Sequence, residues 1–174
     1  MTALTVLALL IEGPKHGYRL KQEAGTIFGQ AALHNNLVYP LLRRFTASGW
    51  VTRKTVPGAR GQNRQQYALT PLGRRTLLGR VREFSEQEAR SADAFRARVG
   101  FFGLLAAEDR ERILRAREQA LRERDQKLDT VQKAMRLDVY ASEAVAFMRE
   151  QIAVELSWIG RLGSLNSKPE GRDS

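Results

Sequence analysis

The chain has 174 residues, 43% of them hydrophobic, a formal net charge of +10 and no cysteine. That much apolar material excludes disorder throughout. The absence of thiols excludes a disulfide framework, a thiolate nucleophile and cysteine-based zinc sites, and points to a reducing cytoplasm. A surplus of cations attracts polyanions such as nucleic acid or acidic membrane, and here the surplus is local. Residues 1–75 hold eleven Lys and Arg against two acids, Glu12 and Glu23, whereas residues 76–174 hold eighteen against seventeen.

The apolar opening from Leu4 to Ile11 is too short to span a bilayer. It has no basic residue before it and runs into Glu12-Gly13-Pro14, unlike a cleavage site, so it is expected as a buried first helix over residues 2–11. A second helix is expected from His16 or Gly17 to Gly25, with Leu20, Ala24, Ile27 and Phe28 on one face. Asn35 or Asn36 can cap a third helix that Gly49 ends, with Val38, Leu41, Leu42 and Phe45 as its buried stripe. Pro40 falls inside it, either near the end of the first turn, where about one hydrogen bond is lost, or as a tolerated kink.

After Gly49 the period shortens. Trp50 to Val56 reads as a strand, residues 57–63 have turn composition, and Arg64 to Leu69 is the returning strand. Thr70-Pro71 starts a further helix, because threonine caps and a proline at the first helical position loses only an amide without a partner. That helix is expected to run towards Arg98, with Gly100 and Gly103 interrupting the pattern. Between Glu108 and Met135 the residues Leu114, Leu121, Leu128 and Met135 recur every seven, while Arg117 and Arg124 spoil a sustained coiled-coil seam. A last helix, about Ser142 to Leu162, aligns Val145, Met148, Ile152, Leu156 and Ile159.

The expected fold is mostly α. An N-terminal winged helix-turn-helix of three helices and a two-stranded wing fills residues 1–78, a helical dimerisation domain residues 79–163, and a flexible polar tail residues 164–174. On the third helix, Asn36, Pro40 and Arg43 lie opposite the core stripe, with Tyr39 and Arg44 at the edges. Arginine pairs bidentately with guanine, asparagine with adenine, and tyrosine donates to phosphate. The hairpin adds Arg53, Lys54, Arg60 and Arg64, with no acid anywhere between Glu23 and Glu83. Such a ribbon repels itself unless a polyanion neutralises it, and each phosphate contact adds to the salt dependence of binding.

The strings Gly13-Pro14-Lys15-His16-Gly17-Tyr18, then Tyr39-Pro40-Leu41-Leu42-Arg43-Arg44, then Tyr67-Ala68-Leu69-Thr70-Pro71-Leu72-Gly73, in this order and spacing, resemble the PadR family of transcriptional regulators. The resemblance covers residues 4 to about 78. Beyond them the chain is similar, more loosely, to the larger PadR subgroup with a virulence-activator-like C-terminal domain. It implies a homodimer built from the C-terminal helices with the first helix, recognition helices in successive major grooves, and wings on the backbone. By position it implies that Tyr39, Arg43 and Lys54 contact double-stranded DNA and that His16 and Tyr18 begin the supporting helix. Asn35-Asn36 departs from the small residues common in the family, which bears on base specificity.

His16 and His34 are the only histidines, and neither has metal-ligand spacing around it. No phosphate loop or nucleophile–base arrangement is present, so no catalytic site, metal or cofactor is expected. Leu114, Leu121, Leu128, Val145, Met148, Ile152, Leu156 and Ile159 are the expected dimerisation residues. Phe101, Phe102, Phe147 and Trp158 are aromatic candidates for a pocket taking a small aromatic or lipophilic effector, against the alternative of plain core or interface. The reading is therefore a cytoplasmic, nucleoid-associated homodimeric repressor without membrane attachment. Its alternative is a winged-helix module whose basic wing docks on an acidic protein.

Overall fold

The computed structural model describes residues 2–28, 37–57 and 63–166 of the chain. In order these form α1 (Thr2–Ala8), β1 (Lys15–His16), α2 (Gly17–Phe28), α3 (Val38–Ala47), β2 (Val51–Pro57), β3 (Asn63–Leu69), α4 (Pro71–Arg82), α5 (Glu86–Arg90), α6 (Ala92–Val99), a 3-10 turn (Phe102–Leu104), α7 (Ala107–Ala134) and α8 (Val139–Asn166). The chain divides into two compact units, Met1–Glu83 and Phe84–Ser174, a boundary later than the expected residue 78.

In the first unit, α1 ends at Ala8 and not at Ile11. The chain turns through Gly13, whose φ of 132° only glycine tolerates without strain. Leu4, Val6, Leu7 and Leu10 pack with Leu20, Val38, Leu42, Phe45, Leu77 and Val81 to make the core. The wing has three strands and not two, in the order β1-β3-β2, all antiparallel. Its register sets Arg53 against Tyr67, Lys54 against Gln66, Val56 against Arg64 and His16 against Gln66. Because side chains alternate, His16, Lys54 and Arg64 share one face and Lys15, Arg53 and Tyr67 the other.

The junction of wing and α4 is built as the sequence requires. The Thr70 side chain accepts from the Gly73 amide and its hydroxyl donates towards the Gly49 and Trp50 carbonyls, at 2.7 and 3.0 Å, with Pro71 in the first turn. Gly73 lies so close beneath Trp50 that a Cβ would fall 2.0 Å from the Trp50 carbonyl oxygen. Trp50 itself stacks on Phe45 with ring centroids 5.6 Å apart, and the Arg80 guanidinium lies 4.9 Å above its indole.

The single helix expected from Pro71 to about Arg98 is three helices, α4 in the first unit and α5 and α6 in the second. Ser85 forms a capping box with Glu88 and starts α5, and Ser91, whose side chain accepts from the Ala94 amide, ends α5 and starts α6. The helix expected to stop at Leu162 continues to Asn166, whose side-chain amide donates to the Ala107 carbonyl at 3.0 Å, so the first residues of the expected tail are helical. Arg117, which breaks the heptad seam in sequence, is buried. Its guanidinium donates two 2.8 Å hydrogen bonds to the Glu155 carboxylate and one of 2.7 Å to the Ala89 carbonyl, joining α5, α7 and α8. Both ions are needed, since either alone would be a desolvated charge. Among the described residues no helix is long and apolar enough to cross a membrane.

Two glycines of α4 predict opposite outcomes. Gly73→Ala forces a methyl against backbone and should destabilise the unit by about 2 kcal/mol or more. Gly79→Ala meets open space in mid-helix and should stabilise it by up to about 1 kcal/mol. Chemical denaturation of both variants checks the pair; equal and small effects would contradict the close approach at Trp50.

Candidate nucleic-acid interface

The third helix begins at Val38, with Leu37 in the capping position, helical φ/ψ and no side-chain cap. Pro40 is therefore its third residue, where the amide has no intrahelical partner to lose, and neither the lost bond nor the kink arises. The first amide of the ladder is that of Leu41, donating to Leu37 at 3.2 Å. At the other end Gly49 adopts φ 71° and the Trp50 amide donates back to Phe45 at 2.9 Å, turning the chain directly into β2. Val38, Leu42 and Phe45 are buried, while Leu41, expected in the stripe, is only half-buried. Tyr39, Pro40, Arg43 and Arg44 are exposed on the other side.

The wing contributes exposed Arg53, Lys54 and Arg64. Lys54 and Arg64 share a face and Arg53 projects from the opposite one, so the adjacent pair Arg53-Lys54 does not act as one patch. A cleft of about 830 Å³ opens beside this face, lined among others by His16, Tyr18, Tyr39, Arg64, Gln65 and Tyr67. It brings the starts of α2 and α3 together with β3. Gly17 makes it possible: a Cβ there would sit 2.9 Å from Cε1 of Tyr39 and 3.4 Å from Cε2 of Tyr67. Tyr18 is 71% exposed at its mouth, and Nδ1 of His16 lies 3.4 Å from the Gln65 carbonyl. Asn35, Asn36 and Arg60, expected at this surface, lie outside the described residues, as does His34.

Sequence reasoning did not single out Lys15. Its ammonium is buried and donates to Glu12 at 2.7 Å and to Glu23 at 2.6 Å, and Arg19 also donates to Glu23 at 2.6 Å. Burial works against the charge of Lys15, but the hydrogen bonds and charges of the two carboxylates outweigh it and raise its pKa. The Lys15 hydrogen bond is the main cause that lowers the Glu23 pKa, opposed by burial and helped by Arg19. Glu12 and Glu23 are the only acids of residues 1–75. Both are thus committed to α2 and β1, and among the described residues Arg43, Arg44, Arg53, Lys54 and Arg64 have no ion-pair partner. In the second unit, by contrast, Arg90, Arg96, Arg98, Arg112, Arg115, Arg117, Arg122, Lys133 and Arg149 each have a carboxylate within 4 Å.

The residues expected to dimerise are divided by the structure. Leu114, Leu121, Val145, Ile152 and Ile159 are buried within one chain, where α7 packs on α8, and Leu128 and Leu156 are half-buried, so this set is spent largely on the unit's own core. Met148 remains 36% exposed. Of the aromatic set, Phe147 and Trp158 line a groove of about 600 Å³ along α8, and Trp158 packs edge-on against Phe95 at 5.5 Å. Phe101, which is buried, and Phe102 do not line that groove. Among the described residues no cluster of His, Asp or Glu could hold a metal ion.

An exposed helix joined by a glycine turn to a basic three-stranded wing, on a small helical core, defines a winged helix-turn-helix. Residues 6–78 match the transcriptional regulator PadR-like family, the family that the motifs of this unit resemble. No curated protein matches the chain. Among solved structures, a Bacillus subtilis PadR in complex with operator DNA is 17% identical, with 95% of this chain and 98% of that one covered and a TM-score of 0.46. The same protein in complex with p-coumaric acid is 15% identical, covering 96% of each chain, at a TM-score of 0.40. A transcriptional regulator from Thermoplasma acidophilum is 27% identical over 45% of this chain and 74% of that one, at 0.42.

The half-buried Glu23 carboxylate gives a pH signature. A carboxylate whose folded pKa lies below its unfolded value stabilises at neutral pH, and that contribution is lost as the pH falls through the carboxylate range, about 4 for glutamate. Lys15, with its raised value, loses its contribution only above the lysine range. Glu23→Gln should therefore lower stability at pH 7 and flatten its decline between about pH 5 and pH 3. Denaturant midpoints across that window check this; an unchanged acid slope would contradict it.

Proposed function

We propose that the chain is a homodimeric, sequence-specific DNA-binding regulator of the PadR-like type, cytoplasmic and without enzymatic activity, which represses by occupying a pseudo-palindromic operator. The observation that carries the reading is the commitment of Glu12 and Glu23 to Lys15 and Arg19, which leaves Arg43, Arg44, Arg53, Lys54 and Arg64 without an ion-pair partner among the described residues. A duplex supplies that charge at every phosphate. In this reading Arg43 and Arg44 on α3, with Asn35 and Asn36 ahead of it, enter the major groove. Lys54, Arg64, Arg53 and the Arg60 of the wing tip hold backbone phosphates. Tyr39, seated over Gly17, lines the tyrosine-rich cleft together with Tyr18 and His16, which begin the supporting helix. Two such modules in successive major grooves, about one helical turn apart, require a second copy of the chain.

The aromatic groove along α8 belongs in this reading to that second copy rather than to a small effector. Its apolar face continues from Tyr140 to Leu165, about 38 Å at 1.5 Å per residue, far longer than a small ligand.

Fluorescence anisotropy with duplex from the protein's own promoter tests the reading. Arg43→Ala should weaken specific binding by about 1–3 kcal/mol and relax the preference for that sequence over random duplex. Lys54→Ala and Arg64→Ala should weaken both alike and each lower the slope of log affinity against log salt by about 1. Specific binding no tighter than binding to random DNA, or independent of salt, would contradict it. Binding instead to an acidic protein, abolished by the same substitutions, would favour an adaptor.

A further inference from the structure

The exposed side of α3 is not uniformly cationic. At 3.6 residues per turn Arg43, Ala47, Pro40, Arg44 and Leu37 fall in that order within an arc of about 120°, opposite the buried Val38, Leu42 and Phe45, and all five are exposed. Apolar groups thus lie among the two arginines, and at the start of the helix this face is made of Leu37 and Pro40. Leu37 is 45% exposed and its side chain makes no bond to the helix start. It holds the capping position, where Ser, Thr, Asp and Asn serve the free amides and leucine ranks among the poorest residues. Helix geometry gives no reason for an apolar side chain there.

In a recognition helix the first residues meet base edges. The major-groove edges of the bases offer nitrogen and oxygen atoms and one apolar group, the C5 methyl of thymine. We propose that Leu37, flanked by Pro40, sits against a thymine methyl in each half-site and makes that base pair a determinant of the operator. This rests on the DNA-binding reading above and names a base that the recognition helix selects.

The selection works in both directions. A thymine methyl and the leucine side chain leave water together. An exocyclic amine of adenine or cytosine under the same side chain would lose its water without gaining an acceptor, and the O6 of guanine would find no donor in Pro40, which has no amide hydrogen. Arg43 lies about 9 Å further along the helix axis, so the leucine and the arginine address different base pairs.

Replacing the thymines of the protected half-sites one at a time by deoxyuridine, which removes the C5 methyl and nothing else, tests this on the intact protein by fluorescence anisotropy. One position, the same in both half-sites, should weaken binding by about fourfold per half-site, the worth of one buried methyl. Leu37→Ala and Leu37→Ser should bind the thymine operator more weakly and no longer distinguish it from the deoxyuridine operator at that position. Arg43→Ala should also bind more weakly yet keep the distinction in full, with circular dichroism as the check that all three variants fold. An equal deoxyuridine effect in the unaltered protein and in both Leu37 variants, or no effect at any thymine, overturns the contact while leaving sequence-specific binding in place. No preference of the unaltered protein for its promoter over random duplex overturns the DNA-binding reading as well.

Discussion

Everything that the N-terminal unit presents depends on where Glu12 and Glu23, the two carboxylates of residues 1–75, go. Lys15 is drawn into the protein by the pairing of β1 with β3, and a buried ammonium cannot persist without counter-charge. Glu12 and Glu23 meet that need, and Glu23 holds Arg19 as well. The same contacts fix the short strand to the start of α2, and so place Gly17, Tyr18 and His16 at the edge of the cleft. Structural neutralisation on one side thus leaves an uncompensated surface on the other, along α3 and the outer face of the wing.

The two units divide the work by the same logic of charge. In the C-terminal unit basic side chains find acids, many of them three or four residues away on the same helix, and Arg117 is satisfied in the interior by Glu155 and the Ala89 carbonyl. Such a unit has no electrostatic reason to approach a polyanion. What it leaves open is apolar, the face of α8 that carries Tyr140, Phe147, Val154 and Leu165. The uncompensated charge thus lies in the first unit and the uncovered apolar surface in the second.

Much of this was legible in the sequence. The apolar spacing of Val38, Leu42 and Phe45, the Gly49 stop, and Thr70-Pro71 each carry a local physical signal strong enough to set an element, and the acid-free run from Glu23 to Glu83 marked the basic face. What escaped was non-local or short. β1 has two residues, too few to show alternation, and its partners lie fifty residues on in β3. Lys15 gave no sign of burial because its cause is that pairing. The break after Arg82 was readable, since Ser85 and Glu88 have the spacing of a capping box, but the apolar residues either side hid it. On α8 the period identified the apolar positions but not which stripe faces α7. Val145, Ile152 and Ile159 proved internal, and the free stripe is Tyr140, Phe147, Val154, Trp158 and Leu165. A helix with two apolar faces looks in sequence like a helix with one broad one.

The central claim is that a two-fold pair of basic winged helices reads duplex DNA. Hydroxyl-radical footprinting of the intact protein on its own promoter tests it most directly. The account predicts two protected backbone patches related by a dyad, with centres about 10 base pairs apart, one helical turn. A single unbroken patch without two-fold symmetry, or no protection at concentrations that leave random DNA equally uncovered, would contradict it.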